Sequence, residues 1–462
     1  MKTNTLDFDA QALRERILDL AMRGKLVPQD PNDEPASTLL KSCDLKSANE
    51  QPHVIPRSWE WIVLGSAVKF INGRAYKKAE LLEDKSLTPV LRVGNLFTNS
   101  SWYYSDLQLD LDKYIDNGDL IYAWSASFGP RIWDGGHVIY HYHIWKLVLD
   151  QVVDKNYLYY FLLDKRNVIG ETDLHGSTMK HITKTNMEHL SFPLPPLIEQ
   201  QRIAAKIAQL FALLRKVETS TRQYAALQTL LKSKVLDLAM RGKLVKQDPN
   251  DESASVLLEK IKADTATRIA NKQTKKIRME KHSGEENLKY KIPDNWTWTR
   301  LGYLIYKLSD GAHRTPKYIS EGIPFLSVKD MSKGKIEFEN CKYISKEDHA
   351  RLYERCNPEK GDILLSKVGT TGVPALVETE KKFDLFVSIA LLKFNHTYVD
   401  QNYLKYLIES PIVQIQAERN TRGVGNKNWV LRDIAGTVVP LPPISEQKRI
   451  VSKIKQLSRY CD

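Results

Sequence analysis

The chain has few cysteines and no long apolar runs, and each absence excludes some classes of protein. Its 462 residues include four cysteines (Cys43, Cys341, Cys356 and Cys461) that are scattered and form no CxxC pair. This spacing argues against a disulfide scaffold or a cysteine zinc site and is typical of a reducing compartment. No run of 18 apolar residues occurs, and the polar start MKTNTLDFDA lacks an apolar signal region. We therefore expect a cytoplasmic protein that is neither secreted nor membrane-spanning.

Motifs for nucleotide binding and catalysis are also missing. No Gly-rich phosphate loop follows a predicted strand, and neither G-x-S-x-G nor H-x-E…C-x-x-C is present. The nearest approach to a phosphate loop is Ser366-Lys-Val-Gly-Thr-Thr-Gly, in which the glycines follow the lysine instead of preceding it. We therefore predict that the chain itself has no catalytic site and binds no cofactor.

The chain is rich in positive charge. It contains 68 Lys and Arg against 56 Asp and Glu, a formal net charge of +12. Such a balance favours a polyanionic partner, most often nucleic acid, although solubility alone explains part of it. Residues Lys260–Lys291 hold ten Lys and Arg against four Asp and Glu, with no apolar period. We predict a flexible basic linker there that can contact phosphates without sequence preference.

The most informative feature is an internal repeat. Residues 18–34, LDLAMRGKLVPQDPNDE, return as residues 236–252 with one difference, Pro28 against Lys246. The phrase Pro-Leu-Pro-Pro-x-x-Glu-Gln at 193–200 returns at 440–447. Mapped through these offsets, the last residue falls on Arg215 and the first on Thr219. The sequence therefore predicts two equivalent units joined head to tail.

Helical periodicity follows each Pro-Pro pair. Apolar residues from Ile203 to Val217 are spaced by 4, 3, 4 and 3 residues, which is a coiled-coil seam. We predict a helix of about 40 residues that begins after Pro195-Pro196 and stops at Gly242. The two ends of the chain carry the same seam in two pieces. These pieces would pack antiparallel to the central helix, related by a pseudo-twofold axis; the alternative is amphipathic helices packed on separate domains.

Two diverged segments lie between the helices and begin with similar Trp-rich phrases, Ile55-Pro-Arg-Ser-Trp-Glu-Trp and Ile292-Pro-Asp-Asn-Trp-Thr-Trp. Strands are predicted within 137–149 and 383–394, and helices at 155–163 and 401–409. The predicted fold class is α+β, with two homologous domains separated by a long antiparallel helical coiled-coil region. The predicted boundaries are 1–53 (N-terminal helical region), 54–196 (first domain), 197–260 (central helix), 261–291 (basic linker), 292–443 (second domain) and 444–462 (C-terminal helix).

Three histidines, His137, His141 and His143, are close together in the sequence. No carboxylate or cysteine completes a ligand set at a familiar spacing, and the second copy around 383–390 has no histidine. We therefore interpret this segment as a polar face of a sheet and predict no metal site.

Basic and polar residues in predicted turns are the candidates for contacts with DNA. Arg and Lys pair with guanine O6 and N7 and Asn with adenine N6 and N7 in the major groove, while Ser and Thr bind phosphates or bases. For each residue, the alternative is an ordinary solvated surface position. In the first domain they are Arg74, Tyr76, Lys77, Lys78, Arg92, Ser125, Ser127, Arg131, Ser177, Thr178 and Lys180. In the second domain they are His313, Arg314, Ser327, Lys329, Ser366, Lys367, Arg422, Asn426, Lys427 and Asn428.

Within this set, Lys180 and Lys427 stand out because the spacing Gly-x-x-x-Lys recurs in both copies, as Gly176/Lys180 and Gly423/Lys427. We predict that both lysines contact DNA.

Together, the LDLAMRGKLV-x-QDPNDE repeat, the paired Pro-Leu-Pro-Pro-x-x-Glu-Gln phrases and the split helical seam resemble the specificity subunits of type I restriction-modification enzymes. The resemblance covers nearly the whole chain. It implies two target-recognition domains, each of which binds one half of an asymmetric, bipartite DNA sequence, with helices that set the gap. It also implies two methyltransferase subunits that use S-adenosylmethionine and two restriction subunits that use ATP and Mg²⁺.

Two alternatives stay open at this point. One is a specificity chain that serves a single fused methylase-nuclease. The other is a coiled-coil scaffold whose basic domains bind protein or RNA.

Overall fold

The computed structural model describes residues 9–97, 101–125, 128–169, 183–280, 290–331, 334–423 and 427–459. The chain divides into two compact units, Asn4–Arg222 and Gln223–Asp462, which we call the N-terminal and C-terminal units. Within the described ranges, no helix is both long and apolar enough to cross a membrane. Cys43, Cys341 and Cys356 carry free thiols.

The N-terminal unit mixes short strands with helices. Its elements are α1 (Ala10–Met22), α2 (Ala36–Ser42), β1 (Glu60–Val63), α3 (Leu64–Ala67), β2 (Val68–Asn72), β3 (Thr88–Leu91), α4 (Val93–Phe97), β4 (Tyr103–Ser105), β5 (Tyr114–Ile115), β6 (Leu120–Ala123), β7 (Gly129–Ile132), β8 (Val138–Tyr140), β9 (Ile144–Leu149), α5 (Lys155–Leu163), α6 (Lys165–Ile169), α7 (Lys184–Glu188), β10 (Ser191–Leu194) and the first half of α8 (Leu197–Met240).

The C-terminal unit holds the rest of α8 and repeats the pattern. Its further elements are α9 (Ala254–Ala270), β11 (Thr297–Arg300), α10 (Leu301–Leu304), β12 (Lys307–Asp310), β13 (Ile323–Leu326), β14 (Lys342–Ile344), α11 (Lys346–Tyr353), β15 (Ile363–Ser366), β16 (Pro374–Leu376), β17 (Asp384–Leu385), β18 (Ile389–Lys393), α12 (Gln401–Glu409), α13 (Pro411–Asn420), α14 (Leu431–Gly436), β19 (Val438–Leu441) and α15 (Ile444–Ser458).

The two units share one sheet topology. An antiparallel sheet has the order β2-β9-β6-β7 in the first and β12-β18-β15-β16 in the second. A smaller mixed sheet is built on β4-β3-β8 and on β14-β13-β17, in which β3 pairs parallel with β8 and β13 with β17. The antiparallel pairs β1-β10 and β11-β19 complete each copy. The predicted α+β fold, duplicated within the chain, is confirmed.

Local sequence explains these positions in the sheets. The strands β6 (LIYA) and β15 (ILLS) are apolar runs buried along their whole length, and both lie inside their sheets. The neighbours β7 and β16 contain Pro130 and Pro374, which cannot donate a ladder hydrogen bond, and both are edge strands. The helices α5 and α12 begin alike, because the side chains of Asp154 and Asp400 each accept hydrogen bonds from the N–H groups of the second and third helical residues.

The central helix α8 is continuous for 44 residues, as the seam predicted. Its first half runs antiparallel to α1 and the loop after it, because Arg14 pairs with Glu218 at 2.6 Å while Asp33, further along the chain, pairs with Arg202. Its last turns share an apolar core with Ile450 and Ile454 of α15. Gly242, with φ of +66°, follows the helix as the sequence predicted.

One segment differs from expectation. The stretch 261–291 was predicted to be a linker, yet α9 continues through its first ten residues. Ile261 is the last buried apolar residue of that helix, so the extension has no apolar period. It is held by polar contacts instead: Arg268 pairs with Asp264 at 2.8 Å and covers the Tyr306 ring at 4.3 Å. Residues 281–289 lie outside the described residues.

Candidate nucleic-acid interface

The repeated motifs meet at one structural joint in each unit. In the N-terminal unit, Trp59 Nε1 donates to Glu199 Oε2 at 2.9 Å, and Gln29 Nε2 donates to Glu199 Oε1 at 2.5 Å. In the C-terminal unit, Trp296 and Gln247 donate to Glu446 at 2.8 and 2.5 Å. The Trp-rich phrase, the QDPNDE loop and the Pro-Leu-Pro-Pro-x-x-Glu-Gln phrase are therefore fixed to one another. The repeated motifs attach each domain to its helix.

The joint is buried and polar. Glu199 and Glu446 are almost fully buried. Burial raises the pKa of both carboxyl groups, although the hydrogen bonds from Trp and Gln oppose this rise. Next to them, Gln200 and Gln447 accept from the N–H groups of Asp154 and Asp400, which cap α5 and α12. Each joint therefore also orients the helix that packs on the sheet.

Equivalent turns follow β2 and β12, and several of the residues predicted to contact DNA lie in them. Gly73 N–H bonds the carbonyl of Ile144, and Gly311 N–H bonds that of Ile389. A Cβ at either glycine would lie within 2.3 Å of a backbone carbonyl oxygen, so only glycine fits here. The next residues, Arg74 and Ala312, both form parallel bridges to the neighbouring chain. One backbone position therefore carries a guanidinium in one copy and a buried methyl group in the other.

In the N-terminal unit this turn is part of a basic and aromatic face. Arg74 forms a forked pair with Glu80, at 2.8 and 3.2 Å, and lies over the Tyr76 ring. Tyr76 stacks on His141, with ring centroids 6.4 Å apart. Arg92 lies 4.4 Å from the Tyr103 ring centroid. Lys77 and Lys78 are exposed beside the same turn.

An aromatic cluster that the sequence analysis did not select lies on this face. Tyr142 is exposed, and its ring centroid is 3.9 Å from that of His143 and 6.0 Å from that of Trp124. Trp124 Nε1 donates to the Tyr142 carbonyl at 2.9 Å. Only the alternation of aromatic and histidine residues in His-Tyr-His could have indicated it. Stacked aromatic rings next to guanidinium groups offer apolar contact and hydrogen bonding to bases.

The three histidines have separate local roles. His137 contacts Asp116 at 2.7 Å and stacks on Tyr114, whereas His141 and His143 lie together with ring centroids 4.8 Å apart. Burial, helped by His143 and Arg92, lowers the pKa of His141 to about 4, so that ring is neutral at pH 7. Across the described ranges, no group of three His, Cys, Asp or Glu residues could hold a metal ion.

In the C-terminal unit, the corresponding face is organised by a buried carboxylate. Asp310, the last residue of β12, contacts Arg355 at 2.5 Å, His313 at 3.1 Å and Lys367 at 3.4 Å. Asp310 and Lys367 are buried, whereas the side chains of Arg355 and His313 are more than half exposed. Lys367 therefore serves to neutralise the carboxylate, and Arg355 is the cation presented outward. No local sequence pattern indicates Arg355, because its partner Asp310 lies 45 residues away in the chain.

Two loops form the rest of this face. Gly369 and Gly372 have φ of +79° and +84°, and the Val373 N–H donates to Ser366 Oγ at 2.9 Å, so these glycines make a tight turn and not a phosphate loop. The Gly369 N–H donates to the carbonyl of Lys427, which joins this turn to the second loop. Lys427 is exposed, and Arg422 is exposed with its guanidinium 3.6 Å from Asp433.

The other predicted residues are distributed less tightly. Ser125 is half-buried, and Arg131 on β7 donates to the Leu96 carbonyl at 2.8 Å. Arg314 and Lys329 are exposed in the C-terminal unit. Five of the predicted DNA-contacting residues lie outside the described residues: Ser127, Ser177, Thr178, Lys180 and Asn426.

This chain thus has the features of a recognition protein: one α+β scaffold is present twice and carries unlike side chains at equivalent positions. Residues 56–224 and 293–462 match the family model described as "Type I restriction modification DNA specificity domain". The chain belongs to this family, as its sequence motifs predicted.

Individual relatives support this family assignment. The chain is 27% identical to the type I restriction enzyme EcoAI specificity subunit of Escherichia coli, over 98% of this chain and 90% of that protein. It is 26% identical to the EcoBI specificity subunit of Escherichia coli, over 88% and 80%. Among solved structures, one described as the "Structural basis underlying complex assembly and conformational transition of the type I R-M system" has a similar fold, with a TM-score of 0.56 at 17% identity, over 89% of this chain and 92% of that one.

Proposed function

We propose that this chain is the DNA-specificity subunit of a type I restriction-modification complex, and that each α+β domain binds one half of a bipartite, asymmetric DNA site. The observation that carries the proposal is the pair of equivalent turns after β2 and β12. The same backbone position holds Arg74 in one copy and Ala312 in the other, and the facing position holds His141 in one and Phe386 in the other. Ala312 is buried in an apolar cluster on which Phe386 packs, so this turn presents a cation in the first copy and none at the same position in the second. One scaffold with unlike side chains at equivalent positions suits two different DNA half-sites.

The chemistry of both faces fits duplex DNA. Arg74 and Arg92 in the first face, and Arg355 and Lys427 in the second, are cations that pair with guanine edges or phosphates. Exposed Tyr142 offers an apolar ring that suits a thymine methyl group. The net charge of +12 adds a sequence-independent attraction to the phosphate backbone.

The helices supply the spacing and the partner surface. A helix of 44 residues is about 66 Å long at 1.5 Å per residue, which corresponds to roughly two turns of B-DNA. Its middle section exposes Leu227, Leu230 and Leu231 by 49–64%, an apolar surface that supports docking of another protein. We assign this surface to two methyltransferase subunits.

In this proposal the reactions belong to the partners. The methyltransferase subunits would use S-adenosylmethionine to methylate one adenine in each half-site, and two restriction subunits would use ATP and Mg²⁺. The chain itself contributes recognition and no catalytic step, which agrees with the missing catalytic motifs. The target adenine must leave the base stack to be methylated, so the partner's pocket has to lie beside the recognition faces.

The decisive experiment is selection from a random duplex DNA library by the full chain with its methyltransferase partner. We expect enrichment of a split motif with two unlike halves at a fixed spacing. Enrichment of one contiguous motif, or of none, would contradict the proposal. Pull-down from the same cells separates the type I assembly from a fused methylase-nuclease, because in the second case one polypeptide carries both activities.

A further inference from the structure

A basic segment specific to the C-terminal unit crosses the surface of the second domain. We call residues 271–280 the basic strap. It begins after α9 at Asn271 and is fixed at both ends. Thr274 Oγ1 donates to the Tyr306 carbonyl at 2.6 Å, and the Glu280 N–H donates to the Arg432 carbonyl at 3.0 Å. The strap is therefore attached to the domain and is not a free linker.

Some side chains of the strap face the domain, and the others are exposed to solvent. Thr274 and Glu280 are half-buried, and Ile277 packs against the apolar core of the unit. Lys275, Lys276 and Arg278 are exposed. In the part of the chain that the structure describes, no ion pair joins these three cations to a carboxylate. The strap thus presents positive charge on its exposed side.

These cations form one wall of a cleft of about 780 Å³. Lys307, Arg355 and Arg432 line it from the domain side, and Glu354 is the single carboxylate of its described lining. Burial lowers the pKa of Lys307, which donates to Asn357 Oδ1 at 2.7 Å. Arg355 also contacts Asp310 in the recognition face. The cleft is therefore continuous with that face.

Among the residues that the structure describes, the N-terminal unit has no counterpart of the strap. Trp296 follows Gln247 by 49 residues, whereas Trp59 follows Gln29 by only 30, although the two pairs meet in equivalent joints. A Cβ on Gly436 would lie 2.1 Å from the Glu280 carbonyl oxygen, so the strap requires glycine there. The equivalent position of the first domain, at the repeat offset of 247, is His189.

We propose that the strap and its cleft bind the phosphate backbone of the DNA next to the half-site read by the second domain. This inference rests on the proposed function and adds to it an asymmetry: the strap extends the DNA contacts of the C-terminal unit beyond its half-site, and the described part of the N-terminal unit has no such segment. Contacts to phosphates strengthen binding without selecting sequence. The cleft raises affinity for any duplex and fixes the register of the second domain on the DNA.

The test uses the full chain with its methyltransferase partner and a strap variant that combines Lys275→Gln, Lys276→Gln and Arg278→Gln. Binding to the selected duplex is measured as a function of salt. If all three cations contact phosphates, the slope of log K against log salt becomes shallower by about 2–3, at about 0.9 per phosphate. Affinity falls equally for the selected and for a scrambled duplex, and hydroxyl-radical protection is lost only outside the second half-site.

The matched control combines Lys342→Gln, Lys346→Gln and Lys360→Gln, which removes three exposed cations of the same unit that do not line the cleft. It should leave the slope nearly unchanged. A charge-preserving strap variant, with Lys275→Arg, Lys276→Arg and Arg278→Lys, should behave as the wild type, and equal melting temperatures check the fold. If the wild type selects a split motif but the strap variant matches the control in slope and footprint, this inference is wrong. If the wild type selects no split motif, the proposed function itself fails.

Discussion

The polar joint makes a strong prediction for stability. In the variant Trp59→Phe, the indole N–H that donates to Glu199 at 2.9 Å is lost, and the carboxyl group remains almost fully buried with Gln29 as its other donor. A hydrogen bond to a charged group contributes about 1.5–3 kcal/mol, and leaving a buried acceptor short of a donor costs a similar amount. We expect the N-terminal unit to lose about 2–3 kcal/mol.

A matched control separates the hydrogen bond from the size of the ring. Trp61 is also buried, and its Nε1 makes no hydrogen bond with any residue that the structure describes. Trp61→Phe therefore removes the same atoms without removing a bond. Urea unfolding of the full chain, followed by fluorescence and circular dichroism, should place Trp59→Phe at least 1 kcal/mol below Trp61→Phe.

The effect should depend on pH. Burial raises the pKa of Glu199 in the folded state, so its contribution to stability is fully present below the unfolded pKa and is lost as pH rises through the folded pKa. Without the Trp59 donor the folded pKa rises further. The deficit of Trp59→Phe relative to wild type should therefore be larger at pH 7 than at pH 4. Equal deficits at the two pH values, or equal stability of the two Trp→Phe variants, would refute the reasoning.

Three further predictions follow from other contacts. In Trp296→Phe, the second joint should lose about 2–3 kcal/mol in the transition of the C-terminal unit only, because the same charged hydrogen bond is removed; unfolding curves that shift both transitions would contradict this. His141→Phe should gain stability relative to wild type as the pH falls from 6.5 towards 4. Because the pKa of His141 is lowered to about 4, the wild-type ring contributes stability that is fully present above pH 6.5 and is lost as the pH falls towards 4. Thermal melting between pH 7 and 4.5 tests this. Lys427→Ala should weaken DNA binding by about 1–3 kcal/mol if the amine contacts a base, or reduce the salt slope by about 1 if it contacts phosphate; an unchanged affinity and slope would remove Lys427 from the interface.

Local sequence patterns and the internal repeat predicted most of the fold. The 4-3 spacing from Ile203 to Val217 predicted a helix that the structure extends to 44 residues, and Gly242 correctly marked its end. The α5 and α12 helices have the predicted bounds, 155–163 and 401–409. The repeated phrases identified the duplication because each is under the same packing and hydrogen-bonding demands in both copies.

The interface was less accessible from sequence because its contacts are non-local. Arg355 and Asp310 are 45 residues apart, and no periodicity connects them. Lys367 belongs to a turn rich in Gly and Thr and was predicted to contact DNA, but the strand before it places the side chain in the interior, against Asp310. The α9 extension beyond Ile261 depends on Tyr306 and Asn395, which no local pattern of that segment indicates.

The joints have a consequence for how such chains can diversify. Gln29 and Gln247 differ by 218 positions, Trp59 and Trp296 by 237, and Glu199 and Glu446 by 247, yet the same atoms meet. The segments between these residues therefore differ in length between the two copies, while the hydrogen bonds of the joint are the same in both. We therefore expect that the segment from Trp59 to Pro193 can be exchanged as a unit, and that recombination at the repeated phrases would transfer one half-specificity while leaving the helical frame intact.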